Sequence, residues 1–271
     1  MDLVELLAKL PTIRKNGFLR YPGLYSWDTH FVSHVCDRLE NLGAVVESQI
    51  RPSKSCIEHQ KWKNKSERFY SKLYKPKPVN QDILKALKRQ MDIAMEKNVT
   101  KTSKSIMVIM DCHNLSTSYC NYKRFVHADM AAAVAALHLA QTAGNASLLV
   151  FKGITLEYIE PRMSVEELVD YIGTDTWDYP STREISLYLN PLNGETLDTD
   201  LFVVIGANIN LDDYMKNVED HRKKNPRAPK FAFCSLGGIR NDRTFKFDKD
   251  VLLTSGFDDK MCDIITAFSL L

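Results

Sequence analysis

Several features that would assign this chain to a common class are missing from its 271 residues. No apolar stretch approaches the ~20 residues of a membrane-spanning helix, and the acidic, amphipathic start is not of the import type. The six cysteines form no Cys-x-x-Cys pair and follow no signal peptide, so we expect reduced thiols in an intracellular protein, cytoplasmic or nuclear. The Walker, Rossmann and zinc-protease motifs are absent, and we expect no cofactor.

Charge is distributed unevenly along the chain. The formal net charge is only +2, but residues 1–104 contain 20 Lys and Arg against 11 Asp and Glu, and the remainder contains 16 against 23. This asymmetry predicts that the N-terminal third faces an anion such as nucleic acid.

The first hundred residues have the periodicity of helices. An apolar stripe over residues 4–10 predicts a helix that ends before Pro11, and a second stripe over residues 31–42 predicts one that ends at Gly43. Two more helices are expected, and Asn80 is a candidate cap for the last of them.

From residue 103 onward, short apolar runs alternate with helical patterns. Strands are predicted at 106–110, 147–151, 201–205, 230–234 and 251–253, and helices at 130–143, 165–171, 212–224 and 258–271. This alternation predicts an α/β fold with an open, mostly parallel, Rossmann-like sheet and helices on both faces. Gly237 and Gly238, after the fourth strand, are expected to form a turn or, alternatively, to approach a ligand at the carboxyl edge.

Short segments in a characteristic order run along the whole chain. They lie at residues 34–41, 50–52, 82–88, 131–134, 200–204 and 256–268. In order and spacing they resemble the C-terminal half of the Ro ribonucleoprotein autoantigen family, in which a TROVE ring of helical repeats precedes a von Willebrand factor A (vWA) domain. The resemblance implies a residual TROVE-like helical segment at 1–100, a vWA-like domain at 103–271, and association with RNA in a ribonucleoprotein. It also implies that this chain alone cannot close the ring.

The resemblance further locates the metal-ion-dependent adhesion site of vWA domains, which takes oxygen ligands from three loops. Only Asp111 is retained, because His113 and Leu115 stand at the serine positions, Tyr179 at the threonine position and Ala207 at the second aspartate position. Magnesium requires near-octahedral oxygen ligands, so we predict a degenerate site without metal. A shifted ligand set remains an alternative: Asn114, Ser116, Ser118, Asp178 and Asn208.

Residues 51–77 combine cations with aromatic side chains. Nine are Lys or Arg, and only Glu58 and Glu67 oppose them. Cations neutralise phosphates and aromatic rings stack on unpaired bases, which suits single-stranded or looped RNA. The predicted RNA-binding residues are Arg51, Lys54, Lys61, Trp62, Lys63, Lys65, Arg68 and Tyr70. Alternatively, this is a solvated helix face and a linker whose aromatic residues dock on the vWA domain.

Two histidine pairings suggest chemistry but lack partners. His30 and His34 have the spacing of zinc ligands on a helix, yet no third ligand is evident, and surface or packing roles explain them. Cys112 beside His113 lacks an orienting carboxylate and an oxyanion loop. We therefore expect a non-enzymatic, RNA-associated protein, or alternatively a module whose vWA surface binds a protein partner without metal.

Overall fold

The chain divides into two compact units, and the boundary lies between Val99 and Thr100. The computed structural model describes residues 1–16, 18–19, 26–64, 79–152, 155–173, 199–224, 229–240 and 248–271. We call Met1–Val99 the helical unit and Thr100–Leu271 the α/β unit. Within the described ranges, none of the helices combines the length and the hydrophobicity of a membrane span.

Helices account for most of the described helical unit. They are α1 (Leu3–Lys15), α2 (Ser26–Leu39), α3 (Leu42–Glu47), α4 (Pro52–Asn64) and α5 (Gln81–Lys97). The predicted cap is confirmed, because the Asn80 side chain accepts the backbone N–H groups of Asp82 and Ile83 at the start of α5. Buried apolar side chains from all five helices share one core.

The predicted end of the first helix is wrong. α1 continues through Pro11 to Lys15, although proline has no N–H to donate within a helix. Tertiary contacts hold the last turn: Ile13 packs on the core, and Arg14 Nη1 donates to the carbonyl oxygen of Trp62 at 3.0 Å. These long-range contacts outweigh the local penalty of the proline.

The predicted end of the second helix is also wrong. α2 ends at Leu39, four residues before Gly43, and a short helix, α3, begins at Leu42. The Asn41 side chain caps α3 by accepting the backbone N–H of Ala44 at 2.8 Å. The apolar periodicity runs across this junction because both helices contribute to the same core.

The α/β unit contains eight described strands. They are β1 (Ser105–Asp111), β2 (Tyr119–Cys120), β3 (Lys123–His127), β4 (Asn145–Lys152), β5 (Thr155–Ile159), β6 (Leu201–Asn210), β7 (Lys230–Arg240) and β8 (Val251–Ser255). Six form one sheet in the order β5–β4–β1–β6–β7–β8, and β2 pairs with β3 in a separate hairpin. All pairings in the main sheet are parallel except β4–β5. The open, mostly parallel sheet is thus confirmed, whereas β5 and the hairpin were not predicted.

Helices cover both faces of this sheet. They are α6 (Ala128–Thr142), α7 (Val165–Gly173), α8 (Leu211–Lys224) and α9 (Met261–Leu270). From α8, Tyr214 and Val218 share a core with Met107 and Ile109 of β1. Successive strand residues face opposite ways, so Val108 points to the other face, where α6 lies against β1. α6 is buried almost all round, and its many alanines let it approach the strands closely.

The glycine pair at 237–238 does not form the predicted turn. β7 continues through it to Arg240 and stays paired with β6, with one extra residue on the β7 side. Such a bulge brings the two backbones close: a Cβ on Gly237 would lie 2.7 Å from the carbonyl oxygen of Ala207. The backbone φ of Gly238 is +150°, a conformation that residues with a side chain rarely adopt. The two glycines therefore allow the backbone conformation and the close approach of strands that the bulge requires.

Candidate functional site

Arg51 is the first residue of the predicted RNA-binding segment, and its side chain makes a hydrogen bond within the helical unit. Its Nη1 donates to the carbonyl oxygen of Asn98 at 2.8 Å. The Asn98 side chain in turn donates to the carbonyl oxygens of Val45 and Ile50, both at 2.9 Å. Arg51 thus ties the start of α4 to the end of α5, a role that the sequence did not reveal.

Two predicted phosphate-binding residues, Lys54 and Lys61, share a carboxylate. Glu58 Oε1 lies 3.3 Å from Lys54 Nζ and 2.7 Å from Lys61 Nζ. The side chains of Lys54 and Lys61 are 37% and 34% exposed, whereas that of Glu58 is 6% exposed. The two lysines therefore stabilise a nearly buried anion and contribute less positive charge than the sequence suggests.

Trp62 is buried in the core of the helical unit at 4% exposure. The guanidinium carbon of Arg14 lies 4.8 Å from the centre of its ring, and burial lowers the pKa of Arg14. A base cannot stack on a covered ring, so the predicted stacking role of Trp62 is wrong. Its ring docks within the helical unit.

The rest of the predicted segment is only partly placed. Lys63, near the end of α4, is exposed. Lys65, Arg68 and Tyr70 lie outside the described residues, so their predicted contacts remain predictions.

At the other candidate site, Asp111 ends β1 at the carboxyl edge of the sheet and is 5% exposed. Its Oδ1 accepts the backbone N–H of His113 at 3.0 Å, which fixes the start of the following loop. Leu115 is fully buried and Ala207 is 1% exposed, and neither side chain carries an oxygen. Tyr179 lies outside the described residues.

The other candidate metal ligands were His30, His34 and the shifted set of loop residues. In the described part of the chain, no group of three or more His, Cys, Asp or Glu side chains is arranged to hold a metal ion. Both His30 and His34 are exposed on α2. Asn114 and Asn208, of the shifted ligand set, are exposed, and Asp178 is outside the described residues.

The hairpin β2–β3 stands at the same edge and was missed by the sequence analysis. It exposes Tyr119 and Tyr122, with Arg124 also exposed, while burial raises the pKa of the Cys120 thiol to about 12. The available signal was a single turn-forming residue, Asn121, between two short runs of strand-forming residues. Strands of two and five residues are too short for periodicity to identify securely.

Comparison with solved structures gives an informative match. Protein-family models and curated proteins show no match. Among solved structures, the crystal structure of the Deinococcus radiodurans Ro (RSR) protein matches with a TM-score of 0.78 and 19% sequence identity. The chain shares the fold of that Ro protein.

The match covers 99% of this chain and 53% of the Ro chain, so this chain spans about half the length of its structural relative. It confirms the predicted fold class and, at the level of the fold, the resemblance to Ro.

Proposed function

We propose that this protein associates with RNA, without catalysing a reaction, as a component of a Ro-type ribonucleoprotein. The main support for this proposal is the structural similarity to a Ro protein over 99% of the chain. Charge supports it: residues 1–99 contain 18 Lys and Arg against 11 Asp and Glu, and residues 100–271 contain 18 against 23. A unit with excess cations attracts phosphates and releases their counterions on binding.

The geometry of α4 determines which lysines test this proposal cleanly. Lys61→Glu would bring a second carboxylate to the nearly buried Glu58, so any loss of binding would also report destabilisation. Lys63 is exposed and lies outside that ion pair, and Lys65 follows it in the chain. The double variant Lys63→Gln/Lys65→Gln removes two charges from the segment and leaves Glu58 with both partners.

The experiment titrates the full chain into a labelled single-stranded RNA and an RNA hairpin at several salt concentrations. We expect affinity to fall steeply with salt, and the slope of the double variant on the single strand to be shallower by roughly 0.7 for each phosphate that it no longer neutralises. The control, Lys223→Gln/Lys249→Gln, removes two exposed charges from the α/β unit and should keep the slope. A wild-type chain that binds neither RNA at low salt would refute the proposal.

We further propose that the carboxyl edge of the sheet works without a divalent metal. Leu115 and Ala207 offer no oxygen where the vWA pattern places ligands, which leaves Asp111 as the retained carboxylate. Calorimetry with Mg²⁺ and Mn²⁺ should give no affinity tighter than about millimolar. Tighter binding that disappears in Asp111→Ala would contradict this.

A second candidate function is a protein-interaction module. It is favoured by the exposed tyrosines of the hairpin at the carboxyl edge, since tyrosine is enriched at protein interfaces. In that case the chain would bind a protein through this edge, and RNA affinity would be absent at every salt concentration.

A further inference from the structure

The hairpin β2–β3 is anchored to two backbone carbonyl groups of neighbouring segments, one through its own backbone and one through a lysine side chain. The N–H of Asn121 donates to the carbonyl oxygen of Leu236 at 2.7 Å, and Lys123 Nζ donates to that of Phe257 at 2.9 Å. Two of its own residues, Cys120 and Val126, are buried. Side chains on its outer surface thus project from a fixed support, and a ligand that binds them orders little additional chain.

This support presents two tyrosine rings to solvent. Tyr122, in the turn, is 86% exposed, and Tyr119 is 47% exposed. The Tyr122 backbone has φ +61°, a left-handed conformation that is uncommon for a bulky residue and that clusters at functional positions. The Tyr119 ring leans on His127, with ring centroids 4.3 Å apart. The strained turn keeps the Tyr122 ring exposed to solvent, and the contact with His127 supports the Tyr119 ring.

The charge of the hairpin suits an anion. Residues 112–128 contain Lys123, Arg124 and two histidines but no Asp or Glu, although the unit around them has an acidic excess. Of the flanking carboxylates, Asp111 is nearly buried, and Asp129 accepts the N–H of the next residue at 2.6 Å. Asp129, partly buried at the end of the hairpin, keeps its charge. The exposed ionic side chain of the hairpin itself, Arg124, is cationic and lies beside exposed aromatic rings.

The neighbouring segment after Phe257 only partly offsets this charge. Asp258, Asp259 and Lys260 are all exposed there, and Asp258 Oδ1 accepts the backbone N–H of Lys260 at 2.8 Å. Their net charge is one negative, against two positive charges on the hairpin.

We propose that the hairpin β2–β3 contacts single-stranded RNA, with Tyr122 and Tyr119 stacking on unpaired bases and Arg124 facing the phosphates. Aromatic rings flanked by cations bind unpaired nucleotides in this way, because every base has a face that can stack. The inference rests on the proposed RNA association and assigns the α/β unit a direct part in it.

The test compares two sets of tyrosines in the full chain. Tyr119→Ala/Tyr122→Ala should weaken binding of a single-stranded oligonucleotide roughly five- to hundred-fold, the effect of removing the stacking platform for one or more bases. Tyr119→Phe/Tyr122→Phe keeps the rings and should bind like wild type. The control Tyr158→Ala removes another exposed tyrosine, 60% exposed on the edge strand β5, and should have no effect.

Salt dependence separates stacking from charge. The tyrosine-to-alanine variant should keep the wild-type salt slope, whereas Arg124→Gln should make it shallower by roughly 0.7. Photo-crosslinking to an iodouracil-substituted oligonucleotide should label Tyr122.

Two outcomes are distinguishable failures. If the wild type binds RNA and Tyr119→Ala/Tyr122→Ala binds equally well, the hairpin proposal is overturned. The exposed tyrosines would then be candidates for binding a protein partner. If wild type binds no RNA at low salt, the proposed function fails and the hairpin proposal fails with it.

Discussion

The variant Trp62→Ala should have a less stable helical unit than the wild type. We do not expect the replacement to remove a surface on which bases stack. The residue is 4% exposed, and large-to-small replacement of a buried aromatic residue destabilises a protein by about 3–5 kcal/mol. Removing the ring beneath the Arg14 guanidinium adds about 1 kcal/mol. Small domains are stable by only about 5–15 kcal/mol, so the variant should have little stability left.

The assay is urea unfolding followed by far-ultraviolet circular dichroism, alongside RNA titration of each variant. Trp62→Phe is the matched control because it keeps most of the buried area. It also removes an indole N–H that has no acceptor among the described residues. We expect this control to lose about 1 kcal/mol or less, since it leaves no buried donor unpaired.

One result would refute the burial argument. If Trp62→Ala kept the wild-type unfolding midpoint and lost RNA affinity, the ring would have to be accessible to bases. If the ring is buried, RNA affinity falls only in proportion to the fraction of unfolded protein.

Two further predictions concern the α/β unit. Gly237→Ala should destabilise by about 1–3 kcal/mol in thermal unfolding, because its Cβ would meet the Ala207 carbonyl, whereas Gly173→Ala, with nothing within 4 Å, should be neutral or stabilising. Hydrogen bonds from Arg222 lower the pKa of Asp248, so their stabilisation is present above the ordinary aspartate pKa and is lost as pH falls through the lowered one. Asp248→Asn should therefore lower the urea midpoint at neutral pH and flatten its decline in acid. An unchanged acid profile would contradict this.

Local patterns predicted the elements that have one dominant signal. The apolar run at residues 106–110, the centre of β1, could be identified as a buried strand because a sheet covered on both faces requires apolar side chains on both sides. The Asn80 cap could likewise be predicted, since it depends on residues two and three positions away. By contrast, the turn of α1 after Pro11 makes long-range contacts, among them the bond between Arg14 and Trp62, 48 residues apart.

The candidate sites divide in the same way. The charge asymmetry and the absence of oxygen ligands at Leu115 and Ala207 are properties of residue type, and the sequence alone determined them. Only the tertiary structure decided which aromatic rings meet solvent: Trp62 is covered and Tyr122 is exposed. Burial depends on what residues distant in the chain place over a side chain, and no local pattern contains that information.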